Sequence, residues 1–145
     1  MIVLSARALL DLLIQDEQLL RMLRPYPIQQ VHISVVSIGR AEQHIQALPP
    51  GDPSRSIYDS RLRSIVGTAR SANTLLPFDW QTAMKWALLL PMQLDVLDAN
   101  GNLVPLGDDS RQVVATAWQR ALQLVERPQP YHPQLAPHGL SFLSY

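Results

Sequence analysis

Short apolar runs that pass directly into helical spacing, several times along one chain, constrain this sequence more than any other feature. The opening MIVL, Met1 to Leu4, has the length and unbroken apolarity of a fully buried strand. From Ala8 the pattern changes: Leu9, Leu10, Leu12, Leu13, Leu19, Leu20, Met22 and Leu23 fall on one broad helical stripe that Pro25 and Pro27 stop. Asp16 and Glu17 mark a break between two short helices. The β-branched run VHISVVS, Val31 to Ser37, predicts a second buried strand, and Ile38 to Leu48 return to helical spacing. PPGDPSR then marks a loop. Ser56 to Arg70 predicts a helix with Ile57, Leu62, Ile65, Val66 and Ala69 inward, and Asp79 is placed to cap a helix running to Leu90, before Pro91. Asn100-Gly101, between short alternating pieces from Gln93 to Pro105, resembles a two-residue hairpin turn. Ser110 is the expected N-cap of a helix to Ala121, with Leu122 to Glu126 following as a strand. Pro128, Pro130, Pro133 and Pro137 rule out regular structure there, and Gly139 to Tyr145 predict a last short strand.

Strands alternating with helices predict an α/β fold with a mainly parallel central sheet flanked by helices on both faces. A length of 145 residues with 47% hydrophobic side chains fits a single domain over 1–145. Twelve Lys plus Arg balance twelve Asp plus Glu, so bulk attraction to nucleic acid or anionic membrane is not expected. Without cysteine there are no disulfides, thiolate metal sites or thiol nucleophiles, which fits a reducing compartment. No run approaches the length of a membrane span, no signal peptide is recognised, and the cytoplasm is the expected location.

In an open parallel sheet, ligands bind outside the carboxyl ends of the strands. The residues placed there are Ser5, Ala6 and Arg7 after the first strand, Arg40 after the second, and Glu126, Arg127 and Pro128 after LQLVE. In order and spacing these segments resemble PIN domains, the small α/β metal-dependent ribonucleases that include the VapC-like toxins of bacterial toxin–antitoxin pairs. MIVL, then Ser5-Ala6-Arg7, then ALLDLLI stand where the family has an apolar strand, Asp-Thr-Asn and an apolar helix. ISVVSIG, Ile33 to Gly39, leads to Arg40 where the family has Glu. LPFD, Leu76 to Asp79, matches a mid-chain phrase, and VVATA follows Ser110 where the family's last active-site helix begins with Asp. The resemblance implies a PIN-like three-layer domain in which the acid positions are occupied by Ser5, Arg40, Ser110 and, at the variable fourth, Pro128.

A Mg²⁺- or Mn²⁺-dependent hydrolase needs several carboxylates converging on its cation. Ser hydroxyls are weak replacements, and at about 4 Å in an effective dielectric of about 20 a guanidinium repels a divalent ion by roughly 8 kcal/mol. The substitutions therefore predict a pseudoenzyme with no cofactor. Its pocket residues Ser5, Arg7, Arg40, Ser110 and Arg127 either bind an anion, such as an RNA phosphate or a partner's carboxylate, or form structural ion pairs with Asp11, Asp108 or Asp109. Ion pairing is the commoner use of such residues. The alternative is a divergent ribonuclease, toxin-like, holding Mg²⁺ or Mn²⁺ through Asp108 and Asp109, which are expected just before the helix; Asp11, Glu42 and Glu126 are the other nearby acids.

His32, His44, His132 and His138 show no metal-ligand spacing, and neither a Gly-x-Ser-x-Gly elbow nor a Gly-rich phosphate loop is present. Trp80, Trp86 and Trp118 are expected in the core or in a subunit contact. The surplus of Leu near Leu9 to Leu23 and Met84 to Leu90 predicts a homodimer. An antitoxin-like protein or RNA is the other expected partner. The proline-rich segment around Tyr131 is either a rigid loop or an extended ligand for a partner.

Overall fold

The computed structural model describes residues 1–145. A five-stranded parallel sheet has the order β3-β2-β1-β6-β7, from β1 (Ile2–Leu4), β2 (Val31–Ser34), β3 (Leu75–Leu76), β6 (Gln123–Val125) and β7 (Phe142–Leu143). A separate antiparallel hairpin pairs β4 (Asp95–Leu97) with β5 (Leu103–Pro105). The helices are α1 (Ala6–Leu13), α2 (Glu17–Leu23), α3 (Val35–Ala47), α4 (Pro53–Ser71), α5 (Trp80–Leu89), α6 (Asp108–Gln119) and the short α7 (His132–Leu135). None is long and apolar enough to cross a membrane.

Because β1 lies between β2 and β6, all of its side chains are buried, and the pleat sends them alternately to two cores. Ile2 and Leu4 join Leu9, Leu13, Ile33, Ile45 and Leu62 beneath α1, α3 and α4. Val3 joins Leu89, Val113, Val114, Leu124 and Tyr131 beneath α5 and α6. Each such aliphatic side chain contributes about 1.5–3 kcal/mol. This gives the three-layer, mainly parallel architecture expected from the alternation of strands and helices.

Local capping explains where the elements depart from those expectations. The second strand stops at Ser34, not Ser37, because the Ser34 hydroxyl accepts from the Val36 N–H at 3.1 Å and starts α3. Buried Ser37 then donates to the Leu4 carbonyl at 3.4 Å, tying α3 to β1, so the β-propensity of Val35 and Val36 is overridden. Helix α1 begins at Ala6, and α4 begins at Pro53, where Asp52 caps and a proline at the first position costs no hydrogen bond. Ile57 on α4 is exposed rather than inward. The N-cap of α6 is Gly107, not Ser110, so Asp108 and Asp109 lie within the first helical turn rather than before it, where carboxylates suit the helix dipole.

The hairpin turn holds three residues instead of two: the Asp98 N–H donates to the Asn102 carbonyl at 2.9 Å, and Gly101 takes φ +79°. In the proline-rich stretch the prolines open short helical pieces, α7 and a 3₁₀ turn at Ala136–His138, rather than excluding them. Trp86 and Trp118 pack against the core, but Trp80 is 73% exposed. Buried Arg111 on α6 meets no carboxylate. It donates to the carbonyls of Leu106 and Met92 at 3.0 Å and to that of Leu89, absorbing the orphaned acceptors where α5 ends.

Candidate functional site

Strands β2 and β3 lie on one side of β1 while β6 and β7 lie on the other, so the order in which strands are added reverses between β1 and β6. The crevice at the carboxyl ends there is where such a sheet binds ligands. Ser5 follows β1 and is committed to structure: its N–H donates to the Val125 carbonyl at 3.0 Å, and its hydroxyl accepts from the Ala8 N–H at 3.0 Å, capping α1.

Above Ser5, Arg7 from the first turn of α1, Arg40 and His44 from α3, and Ser110 from α6 line a cavity of about 450 Å³ with Ala6 and Leu10. Arg40 does not directly follow β2; it lies in the second turn of α3, and Gln43, His44 and Ala47 share its face at helical spacing. That spacing is visible in the sequence, where a place after a predicted strand marks Arg40 but nothing marks Gln43 or Ala47. Arg40 Nε is 3.4 Å from Asp109 Oδ2, and its Nη1 donates to Gln43 Oε1 at 2.7 Å. Asp108, the other alternative ligand, is exposed and does not line this cavity.

Beside the cavity, a second cluster forms around Asp11, whose side chain is 1% exposed. Arg7 Nε lies 3.1 Å from Oδ1, Arg127 Nε lies 3.0 Å from Oδ2, and the Tyr145 hydroxyl donates to Oδ2 at 2.6 Å. The two guanidinium contacts are off the line of the N–H bonds, so they act through charge rather than as aligned hydrogen bonds. Arg127 also lies 3.5 Å from Asp16. It thus turns away from the cavity that holds Arg7, Arg40 and Ser110. Burial opposes the charge on Arg127, but Asp11, Tyr145 and Asp16 more than offset it, raising its pKa above the ordinary value. Burial and the Asp11 carboxylate push the Tyr145 hydroxyl well above the usual tyrosine range, keeping it a donor.

The remaining acids are also engaged. Glu126 Oε2 accepts from the Tyr131 hydroxyl and from His132 Nε2 at 2.8 Å, and the His132 ring stacks on Phe142 with centroids 3.9 Å apart. Burial, then the Glu126 charge, raises the Tyr131 pKa. Glu42 accepts from Gln46 at 2.9 Å and lines a different hollow, between α3 and α4. No three His, Asp or Glu side chains are grouped as metal ligands. At the cavity the donor set is the Ser110 hydroxyl, the His44 imidazole and the Gln43 amide oxygen, which already accepts from Arg40, beside two guanidinium groups. That set does not fit a hard divalent cation, which requires several anionic oxygens.

No family model and no curated protein sequence matches the chain. Solved structures do. FitAB bound to an IR36 DNA fragment matches with a TM-score of 0.74 and 17% identity, over 99% of this chain and 94% of that one. The fold is PIN-like. FitAcB from Neisseria gonorrhoeae is similar with a TM-score of 0.74 and 20% identity, over 99% and 97%. VapBC2 from Rickettsia felis, bound to a DNA fragment from its promoter, matches with a TM-score of 0.66 and 12% identity, over 99% and 98%. Within this PIN-like frame the carboxyl-end cavity carries a guanidinium pair beside Ser110.

Proposed function

We propose that this chain is a non-catalytic PIN-like module, a pseudo-nuclease that binds a partner through the cavity at the strand ends. The observation that carries the reading is the arrangement around Arg40: Asp109 pairs with this cation instead of standing free to hold a metal. Ser5 is used as a helix cap, and Arg7 brings a second positive charge to the same cavity. The cavity thus suits an anionic group, as Arg suits carboxylate and phosphate.

Calorimetric titration with Mn²⁺, run beside an RNA-cleavage assay, tests this directly. The expected result is no saturable heat and no metal-dependent cleavage. Saturable binding and cleavage, both abolished by Asp109→Asn, would establish the alternative of a divergent Mg²⁺- or Mn²⁺-dependent ribonuclease using Asp108 and Asp109.

An antitoxin-like protein is the partner this reading favours, since the similar structures include VapBC-5 from Mycobacterium tuberculosis, of a toxin–antitoxin family, and a toxin–antitoxin complex from Klebsiella pneumoniae. A homodimer is part of the same reading. Trp80, Met84 and Leu88 recur every four residues on α5 and are exposed, while Lys85, the helix's charged residue, turns onto the Trp118 ring at 4.4 Å. A second copy would cover this uncharged stripe. Light scattering at several concentrations is expected to give a dimer that Trp80→Asp dissociates; monomer throughout would refute it.

A further inference from the structure

The cavity at Arg40 adjoins a second hollow of about 150 Å³ that shares Arg7, Leu10 and His44 and is lined beyond them by Leu13, Ile14 and Tyr58, with the buried Asp11 at its floor. One end of the combined groove therefore carries two guanidinium groups, and the other carries aliphatic and aromatic surface. The guanidiniums are incompletely used. Arg7 approaches Asp11 with Nε, and Arg40 approaches Asp109 with Nε and donates to Gln43 through Nη1, while neither Nη of Arg7 nor Nη2 of Arg40 makes a hydrogen bond. Asp11 is buried behind Arg7, whereas the Arg7 and Arg40 side chains are 56% and 49% exposed, so positive groups face an incoming ligand. A carboxylate accepts from such forked donors more strongly than a neutral amide does.

Building on the non-catalytic reading above, we propose that this groove docks a segment of a partner protein in which an acidic side chain enters between Arg7 and Arg40 while apolar side chains lie along Leu10, Ile14 and Tyr58. The change in lining favours protein over RNA. A strand of RNA repeats its charge at every nucleotide and rewards a continuing basic track with aromatic stacking platforms, whereas here no Arg or Lys follows Arg7 and the lining is Leu10, Ile14 and Tyr58 over the buried Asp11 carboxylate. Leu10 and Ile14 lie four residues apart, on and just beyond one helix, so their spacing suits apolar side chains presented on one face of the partner segment.

The test is selection from a random peptide library displayed on phage, with the full chain as bait and Arg40→Glu and Arg7→Glu as parallel baits. Wild type is expected to enrich Asp or Glu at least fivefold at one fixed position, with Leu, Ile, Val or Met three or four residues away. The Arg40→Glu bait is expected to lose that acidic preference or invert it to Lys and Arg. Arg40 is the decisive variant because it is half-exposed, while Arg7 also contacts buried Asp11; unchanged unfolding midpoints identify baits that keep the fold. No fixed acidic position with the wild-type bait, or the same acidic preference with folded Arg40→Glu, would overturn the docking groove. Saturable binding of a 20-nucleotide single-stranded RNA that Arg40→Glu weakens tenfold would overturn it in favour of a phosphate ligand. Failure of this inference is distinct from failure of the reading beneath it: Mn²⁺-dependent cleavage removes the pseudo-nuclease, whereas an unselective library result from a chain that takes up no Mn²⁺ removes only the groove's ligand.

Discussion

Two charge clusters lie side by side at the carboxyl ends of the strands and differ in burial. Around Asp11, one deeply buried carboxylate holds Arg7, Arg127 and Tyr145 together, drawing α1, the end of β6 and the chain's last residue to one point. Around Arg40, the pair with Asp109 is half-exposed on both sides and joins two helices across an open cavity. The same residue types thus do opposite work. A buried carboxylate cannot release its partners without leaving charge stranded in the protein, so the first cluster is scaffold. An exposed pair exchanges its partner for solvent or ligand at little cost, so the second is available for binding.

The comparison breaks most readily at Asp11. Asp11→Ala removes the buried carboxylate shared by Arg7, Arg127 and the Tyr145 hydroxyl, and although both half-exposed guanidiniums regain solvent it is expected to lower the unfolding free energy by about 2–3 kcal/mol, measured by urea denaturation; a loss similar to that of an exposed ion pair would show that the cluster is not structural. Tyr145→Phe removes one hydrogen bond to the same carboxylate, with an expected loss of about 1–2 kcal/mol. Arg40→Ala should change stability by about 0.5 kcal/mol or less in the same assay, because its pair is exposed. A large loss there would place Arg40 in the scaffold and argue against its use by a ligand.

The smallest effect concerns a capping carboxylate away from both clusters. The backbone N–H and hydroxyl of Thr82, with Arg120 nearby, hold Asp79 below the ordinary 3.8. Its ionisation therefore contributes stability that is in place above pH 3.8 and is lost as pH falls through the lower folded value. Asp79→Asn keeps a cap but cannot titrate, so its unfolding midpoint should approach that of wild type as pH falls into that window. A gap that is constant with pH would contradict the assignment.

Much of the frame was legible because burial writes itself into sequence: MIVL is a central strand because both neighbours cover it, and the Leu9–Leu13 stripe is one face of α1. What the sequence concealed were local decisions about where helices start. Ser34 ends a β-branched run that propensity alone would extend to Ser37, and Gly107 takes the cap that Ser110 has the chemistry to provide. The cavity was half legible. Arg7, Arg40 and Ser110 were named from their places after strands and before a helix, but Tyr145 meets Asp11 across 134 positions of sequence, and no local pattern encodes that contact. Arg127 is drawn to Asp11 and Asp16 for the same reason.

The carboxyl-end crevice carries two guanidinium groups where a metal-dependent nuclease would need converging acids. Crystals soaked in MnCl₂ and measured at the manganese absorption edge test this most directly. No anomalous peak is expected among Ser5, Arg40, Asp109 and Ser110. A peak there, coordinated by three or more side-chain oxygens with Arg40 displaced from Asp109, would contradict it.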